Sequence, residues 1–196
     1  VVALTTAGAA VSGTLSATGL ISGSLDQVTG FKNRIINGAM VVDQRNAGAS
    51  VTLTTNATYT LDRWVGYLSQ SSKYSIQQST TTATAFKNSL LVTSLSAYSI
   101  TSTDNFGVAQ NIEGLNVYDL AWGTANAATV TLSFWVRSSL TGTFGGALRN
   151  SAGDRAYPFS YTILTANTFE QKTITIAGDT TGTWLTTNGQ GIGVVF

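Results

Sequence analysis

The sequence predicts an all-β protein made of a Gly-rich β shaft, a charged neck and an antiparallel β-sandwich of jelly-roll type. Apolar and polar residues alternate over several short segments, whereas no window holds the 3.6-residue period of a helix. Twenty Gly and a single Pro are spread between those segments, as in proteins with many short strands joined by tight turns. We assign the shaft to residues 1–30, the neck to 31–66 and the sandwich to 67–196.

A short repeat supports the shaft assignment. The segment Val11–Leu15, "VSGTL", returns as Ile21–Leu25, "ISGSL". One copy of such a segment buries too little apolar surface to offset backbone ordering at about 1–2 kcal/mol per residue. We therefore expect the segment to wind around identical neighbouring chains. The alternative is a flexible Gly/Ser/Thr linker, and the residues alone leave it open.

Composition excludes several kinds of chemistry. His and Cys are both absent, which removes disulfides, tetrahedral zinc sites, Ser-His-Asp triads and thiol nucleophiles. The main enzyme class left open is the two-carboxylate hydrolases. The nine Asp and Glu residues are scattered and form no evident pair. We therefore expect a protein that is not an enzyme and carries no cofactor.

Charge and hydropathy bear on the partners. Only 10% of the residues are charged and the net charge is +1, so no basic field is available to neutralise a run of phosphates. No stretch approaches the roughly 18–20 consecutive apolar residues of a membrane span. We expect neither a nucleic-acid partner nor insertion into a membrane.

The clearest strand is Val130–Arg137, in which Val130, Leu132, Phe134 and Val136 alternate with polar residues and Trp135. One short helix is expected at Glu113–Ala121 and a flexible segment at Gly142–Gly146. The other predicted strands are Val41–Val42, Val51–Leu53, Trp64–Leu68, Tyr74–Gln78, Ser89–Thr93, Phe159–Leu164, Lys172–Ile176 and Gly193–Phe196.

The sequence stops inside an apolar strand, at "GIGVVF". A sandwich that ended there would expose a bare apolar edge, which natural sheets avoid. We therefore expect the sandwich to be incomplete at its C-terminal end and the chain to be a fragment.

Three motifs carry a family resemblance. Asn33–Met40 ("NRIINGAM"), Asp43–Arg45 ("DQR") and Tyr59–Trp64 ("YTLDRW") resemble a segment of tail fibre proteins of tailed bacteriophages, especially phages of marine bacteria. The segments Ile112–Ile163 and Thr168–Trp184 look like the carbohydrate-binding-module-like jelly roll that follows this segment in those fibres. The resemblance covers residues 31–196.

The resemblance implies a virion protein. It implies a homotrimer whose N-terminal end joins other phage tail proteins and whose head contributes to attachment to a host surface glycan or outer-membrane receptor, without catalysis. A purely structural connector or decoration fibre is one alternative, and a glycan-degrading tailspike is another. The resemblance names no receptor.

A cluster of amide and charged residues marks the change from shaft to head. These side chains can bridge strand ends and chains through charge-assisted hydrogen bonds, so we interpret them as structural neck residues. The competing hypothesis is a hydrolytic site formed by Asp43, Asp62 and Arg63. The neck residues are Asn33, Arg34, Asn37, Asp43, Gln44, Arg45, Asp62 and Arg63.

Candidate glycan-binding residues come from two places. Trp135 and Arg137 lie on the face of their strand opposite the apolar residues, and aromatic rings with Arg side chains suit sugar binding. The loop Arg149–Tyr157 adds Arg149, Asp154, Arg155 and Tyr157. A trimer interface, a second packed layer and a solvated turn are the competing interpretations.

Five other aromatic residues are expected in the core, because such side chains supply much of the burial in a small sandwich. Oxygen ligands for a structural Ca²⁺ are available from Asp104, Asn105, Asp154 and Asp179, although no loop has the dense carboxylate spacing of a calcium site. The expected core residues are Trp64, Trp122, Trp184, Tyr118 and Phe159.

Overall fold

The computed structural model describes residues 32–196, and the predicted shaft lies outside these residues. The regular structure consists of eleven strands and two short 3-10 turns, Gly114–Asn116 and Tyr118–Leu120, within the described residues. The strands are β1 Val51–Thr52, β2 Thr58–Tyr59, β3 Val65–Leu68, β4 Tyr74–Ser79, β5 Ser89–Ser94, β6 Phe106–Glu113, β7 Val130–Val136, β8 Gly142–Arg149, β9 Ala156–Ile163, β10 Glu170–Ile176 and β11 Gln190–Val195.

The strands form three antiparallel sheets. The largest has six strands in the order β2-β3-β6-β11-β8-β9, and smaller sheets are formed by β1-β4-β5 and by β10-β7. Every strand pair in the described part of the chain is antiparallel. The predicted all-β class with antiparallel sheets is therefore confirmed. None of the described helical turns is long and apolar enough to cross a membrane.

The sheet β10-β7 packs on the inner face of the six-stranded sheet. Leu132 of β7 and Ile176 of β10 share a buried cluster with Ile192 and Val194 of β11. Phe134 of β7 adds an edge-to-face contact with the ring of Phe196 at 4.9 Å between centroids. Inward side chains from two sheets thus form one layer of core.

The sheet β1-β4-β5 covers the other end of the same inner face. Ile76 of β4 is fully buried in a second cluster with Leu68 of β3 and Val108 of β6. Ile35 and Phe196 contact both clusters. The two clusters therefore lie side by side on one face of the large sheet.

A buried glutamine ties the segment that precedes β1 to the large sheet. Gln110 of β6 is 0% exposed. Its Oε1 accepts the N–H of Ile36 at 2.8 Å, and its Nε2 donates to the carbonyl of Ile36 at 2.8 Å. Asn37 continues the connection by donating to the carbonyls of Val42 and Asp62. Residues 33–196 accordingly form one compact unit.

Most of the expected core aromatic residues are buried. Trp64, Trp122, Trp184 and Phe159 are each less than 10% exposed. Tyr118 is 62% exposed, so its assignment to the core was wrong. It lies on a 3-10 turn whose buried residue is Leu120.

The expected helix at Glu113–Ala121 is wrong as well. The chain forms two separate 3-10 turns there, and Ala121 ends the second with φ of 51°, a left-handed conformation that stops a helix. Gly114 lies so close to the carbonyl of Leu185 that a Cβ would clash with it. Close packing of the backbone therefore determines the conformation of this segment.

The strand predictions also need correction. Val41–Val42 is not a strand, because both side chains are exposed and the N–H of Val42 donates to the side chain of Asn37. The segment expected to be flexible, Gly142–Gly146, belongs to β8. Strands β2 and β6 have no counterpart among the predicted strands.

Adjacent glycines of β8 provide a test of the packing. A Cβ at Gly146 would lie 2.4 Å from Cζ of Phe159 and 2.5 Å from the carbonyl oxygen of Val195, whereas a Cβ at Gly145 would meet only the Phe159 carbonyl at 3.6 Å. We expect Gly146→Ala to reduce the free energy of unfolding by about 1–3 kcal/mol through overpacking.

The matched control is Gly145→Ala, which we expect to be neutral or slightly stabilising because it restricts the unfolded chain. Chemical denaturation followed by tryptophan fluorescence measures both. Equal stability of the two variants would contradict the packing described for β8.

Candidate functional site

An open cleft of about 360 Å³ lies at the hairpin between β8 and β9. It collects three of the residues predicted to bind glycan together with two tryptophans and an aspartate from elsewhere in the chain. Its lining includes Trp122, Asp154, Arg155, Tyr157, Asp179 and Trp184.

Asn150 fixes the conformation of the hairpin. Its side chain is buried, and its Oδ1 accepts the N–H groups of Gly153 at 2.9 Å and Arg155 at 3.3 Å. Its Nδ2 donates to Oδ1 of Asp154 at 2.6 Å and to the carbonyl of Thr183 at 3.0 Å. An Asn side chain that bonds the backbone of the following turn is a common device for holding a tight loop. The hairpin therefore presents Asp154 and Arg155 from a fixed backbone.

A bidentate ion pair forms one wall of the cleft. Nε and Nη2 of Arg155 donate to the two carboxylate oxygens of Asp179, each at 2.7 Å. Nη2 also donates to the hydroxyl of Thr181 at 2.6 Å. Within residues 32–196, Nη1 of Arg155 has no protein acceptor, so one edge of the guanidinium stays available for a ligand.

Asp179 is held ionised by its neighbours. The side-chain hydrogen bonds from Arg155 lower the pKa of its carboxyl well below the ordinary value, although partial desolvation acts in the opposite direction. The N–H of Thr181 and Nε1 of Trp184 also donate to the carboxylate. Asp179 is thus engaged as an acceptor and positions Arg155.

Aromatic side chains line the remaining walls. Trp122 and Trp184 meet edge to face with 4.7 Å between ring centroids, and both are mostly buried. Tyr157 is 41% exposed, which leaves a ring available at the mouth of the cleft. Sugars stack their C–H faces on such rings and bond their hydroxyls to charged groups nearby. The cleft therefore combines an apolar platform with Asp154 and Arg155.

The other predicted glycan residues do not join this cleft. Trp135 is 42% exposed on the outer face of β7, next to Gln171 of β10. Arg137 donates from Nε to the carbonyl of Asn167 at 2.8 Å and lies over the ring of Phe169, so it is occupied by its own chain. Trp135 is a separate exposed aromatic residue.

Arg149 lies on the outer face of the six-stranded sheet. Successive residues of β8 point to opposite faces, and Leu148 before it is buried in the core. The guanidinium of Arg149 lies over the ring of Tyr67, 5.4 Å from its centroid. The structure thus separates Arg149 from the loop residues with which the sequence grouped it.

The residues predicted to form the neck bond within the chain. Arg34 forms a bidentate pair with Asp119 at 2.6 and 2.7 Å. Asp43 accepts the N–H groups of Asn46 and Gly48, and Asp62 accepts the N–H of Gln44. Among the others, Oδ1 of Asn33 accepts the N–H of Ile35, and Arg45 lies over the ring of Tyr59. These contacts hold loops, and the bridging of separate chains stays a prediction.

Arg63 has a partner that the sequence did not suggest. Its guanidinium pairs with Glu113 of β6 at 2.7 Å, and this pairing raises the pKa of Arg63 and lowers that of Glu113. Asp43 and Asp62 instead accept backbone N–H groups. The three residues of the alternative hydrolytic site therefore have separate structural contacts.

The proposed calcium ligands are divided between two places. Asp154 and Asp179 line the cleft, whereas Asp104 accepts hydrogen bonds from Ser69 and Thr101. Those bonds lower the pKa of Asp104 to about 2. No group of three or more acidic side chains that could hold a metal ion occurs within residues 32–196.

Two residues that shape the cleft, Asn150 and Asp179, were not among the predicted glycan-binding residues. The role of Asn150 could have been predicted from the sequence, because an Asn at the start of "NSAGD" is typical of a turn. Asp179 was considered only as a calcium ligand, and its pairing with Arg155 joins residues far apart in sequence.

Comparisons with known proteins supply no relative. The sequence matches no family model, and neither a curated protein nor a solved structure matches it significantly.

The ion pair predicts a pH dependence. Because the folded-state pKa of Asp179 is depressed, its contribution to stability is present above the ordinary pKa of 3.8 and is lost as the pH falls toward the lower folded value. We expect Arg155→Gln to raise the titration midpoint of Asp179 toward 3.8, as measured by carboxyl carbon NMR.

Arg137→Gln is the control, because Arg137 binds the carbonyl of Asn167 and leaves Asp179 untouched. A wild-type midpoint at the ordinary value, or equal midpoints in wild type and Arg155→Gln, would contradict the ion pair.

Proposed function

We propose that this chain is part of a trimeric bacteriophage tail fibre and that its head contributes to attachment of the virion to host surface glycans. The observation that carries the proposal is the cleft that combines exposed Tyr157 with Asp154 and the free edge of Arg155. The resemblance of the "NRIINGAM", "DQR" and "YTLDRW" motifs to phage fibres supports the same conclusion.

The chemistry of the cleft suits a sugar without a charged group. Tyr157 supplies a ring for C–H stacking, Asp154 accepts hydrogen bonds from hydroxyls, and Nη1 of Arg155 donates one. Asn150 holds Asp154 and Asp179 holds Arg155, so these two side chains lose little entropy on binding. The contacts are few, and a single cleft binds weakly.

Assembly compensates for weak single sites. In the proposed fibre, residues 1–30 form the trimeric shaft, residues 31–66 the neck and residues 67–196 the jelly-roll-like head, and the N-terminal end joins other tail proteins. Three heads on one fibre and several fibres on one particle raise the effective concentration of sites, which strengthens attachment without any new contact. The head acts by binding and carries out no reaction.

The direct test is binding of the full chain to an array of purified bacterial lipopolysaccharides and capsular polysaccharides. We expect Tyr157→Ala to weaken binding at least about tenfold, which corresponds to the loss of about 1.4 kcal/mol of contact energy. The matched control is Tyr118→Ala, because Tyr118 is also exposed but lies away from the cleft.

Two results would count against glycan binding at the cleft, and a third would count against a head that carries out no reaction. Equal loss in both tyrosine variants would assign the effect to general surface changes. No binding of wild type to any polysaccharide or host cell would favour a purely structural fibre, and release of reducing ends from a bound polysaccharide would favour a tailspike.

A separate experiment tests the proposed trimer: light scattering measures the mass of the assembly formed by the chain with and without residues 1–30. We expect a mass near three times 20.4 kDa for the full chain and a fall toward one copy after truncation. Circular dichroism serves as the control, because residues 33–196 form a compact unit that should stay folded. A monomeric mass for the full chain would contradict the shaft.

A further inference from the structure

The outer face of the six-stranded sheet carries a second cluster of polar and aromatic side chains. Asn111 of β6, Gly193 of β11 and Arg149 of β8 pair side by side in one row across three strands. Tyr67 of β3 lies on the same face, opposite Gly107. We call Tyr67, Asn111 and Arg149 the outer-face cluster.

The absence of a side chain at Gly193 lets this cluster close over the sheet. A Cβ at Gly193 would lie 3.4 Å from Oδ1 of Asn111 and 3.5 Å from Cγ of Arg149. It would also lie 2.6 Å from Nε2 of Gln190, which is too close for any real side chain. Three polar side chains therefore converge above one glycine.

Arg149 is held in place without being neutralised. Its guanidinium stacks over the ring of Tyr67, and Nδ2 of Asn111 donates to the hydroxyl of the same tyrosine at 3.2 Å. Within residues 32–196 the guanidinium has neither a carboxylate partner nor a hydrogen-bond acceptor. The carboxylate of Glu113 on the same face is already paired with Arg63. The cluster thus holds one uncompensated positive charge.

A pocket adjoins the charged group. It has a volume of about 150 Å³ and is lined by Tyr67, Asn105, Phe106, Gly107, Arg149 and Val195. The side-chain amide of Asn105 makes no hydrogen bond to the described residues and is exposed.

A polar atom of the cluster also lacks a partner. Oδ1 of Asn111 is buried and accepts no hydrogen bond in the described part of the chain. A buried polar atom without a partner costs about 1–3 kcal/mol, so it commonly marks a place where water or a ligand completes the bonding.

We propose that the outer-face cluster is a second binding site, specific for a carboxylate-bearing sugar residue such as a uronic acid. The carboxylate pairs with the guanidinium of Arg149, whose planar fork matches two carboxylate oxygens. The hydroxyls bond to the amide of Asn105 and the hydroxyl of Tyr67, and the ring packs on Val195 and Gly107. The site goes beyond the cleft at Tyr157 and works independently of it.

The charge decides the class of ligand. An Arg without an anionic partner attracts a carboxylate, and stacking on Tyr67 means that little side-chain freedom is lost on binding. A simple carboxylate alone leaves Asn105 and Tyr67 unused, whereas the hydroxyls of a sugar engage both. A neutral sugar leaves Arg149 unpaired.

The test is an NMR titration of the full chain with sodium glucuronate, with glucose and sodium acetate as comparison ligands. We expect glucuronate to shift the Nε–H signal of Arg149 and the side-chain amide of Asn105. Arg149→Gln should weaken glucuronate binding at least about tenfold, since it removes a charge-assisted bidentate contact. Arg149→Lys keeps the charge but loses the planar fork, and we expect a loss of at least about threefold.

The matched control is Arg45→Gln. Arg45 also lies 5.4 Å from a tyrosine ring, that of Tyr59, but it lines neither the cleft nor the outer pocket. We expect it to change affinity by less than about twofold, as for an exposed surface charge. Equal losses in Arg45→Gln and Arg149→Gln would overturn the proposal by assigning binding to general electrostatic attraction.

Other results would overturn it as clearly. Acetate binding as tightly as glucuronate would reduce the site to a simple anion contact, and equal binding of glucose would remove the role of the carboxylate. Tyr157→Ala should leave glucuronate binding unchanged. If glucuronate binding were lost in that variant, the ligand would belong to the cleft. If polysaccharide did not bind at the cleft but glucuronate still bound at the outer-face cluster, the proposed function would be wrong and the second site would be supported.

Discussion

The buried side chain of Gln110 holds the described part of the chain together as one unit. It lies on β6 between Val108 of one core cluster and Ile112 of the other. A buried amide is costly unless its donor and acceptor are both paired, and Gln110 achieves this only with the backbone of Ile36. The segment before β1 is therefore fixed to the central sheet.

The fold class could be predicted because some strands have one solvated and one buried face. β7 has such a pattern, and its alternation was visible in Val130–Val136. β6 and β8 gave no such signal. β6 has a glutamine where the pattern would require an apolar residue, and β8 has Gly146 where the ring of Phe159 leaves no space for a Cβ. Both deviations are explained by contacts with residues distant in sequence, which composition and periodicity do not reveal.

The candidate site shows the same limit. Residue types in Arg149–Tyr157 indicated a binding loop, and three of its members do meet at the cleft. Sequence spacing grouped Arg149 with them, although neighbours on a strand point to opposite faces. The wall of the cleft depends on the pairing of Arg155 with Asp179, which arises only when β9 and the segment after β10 are brought together. Such pairings follow from topology and have no local signature.

The alternation of side chains along β8 and β9 has a consequence for the two proposed binding sites. Leu148 pairs with Tyr157, and Arg149 pairs with Ala156, so Tyr157 and Arg149 belong to opposite faces of one sheet. A single sugar chain therefore cannot contact both sites on the same molecule without passing around the sheet edge. Two weak sites that face apart add little to affinity for one short oligosaccharide. In the proposed fibre the two sites are useful together, because several heads then meet a dense layer of glycan and each face engages a different chain.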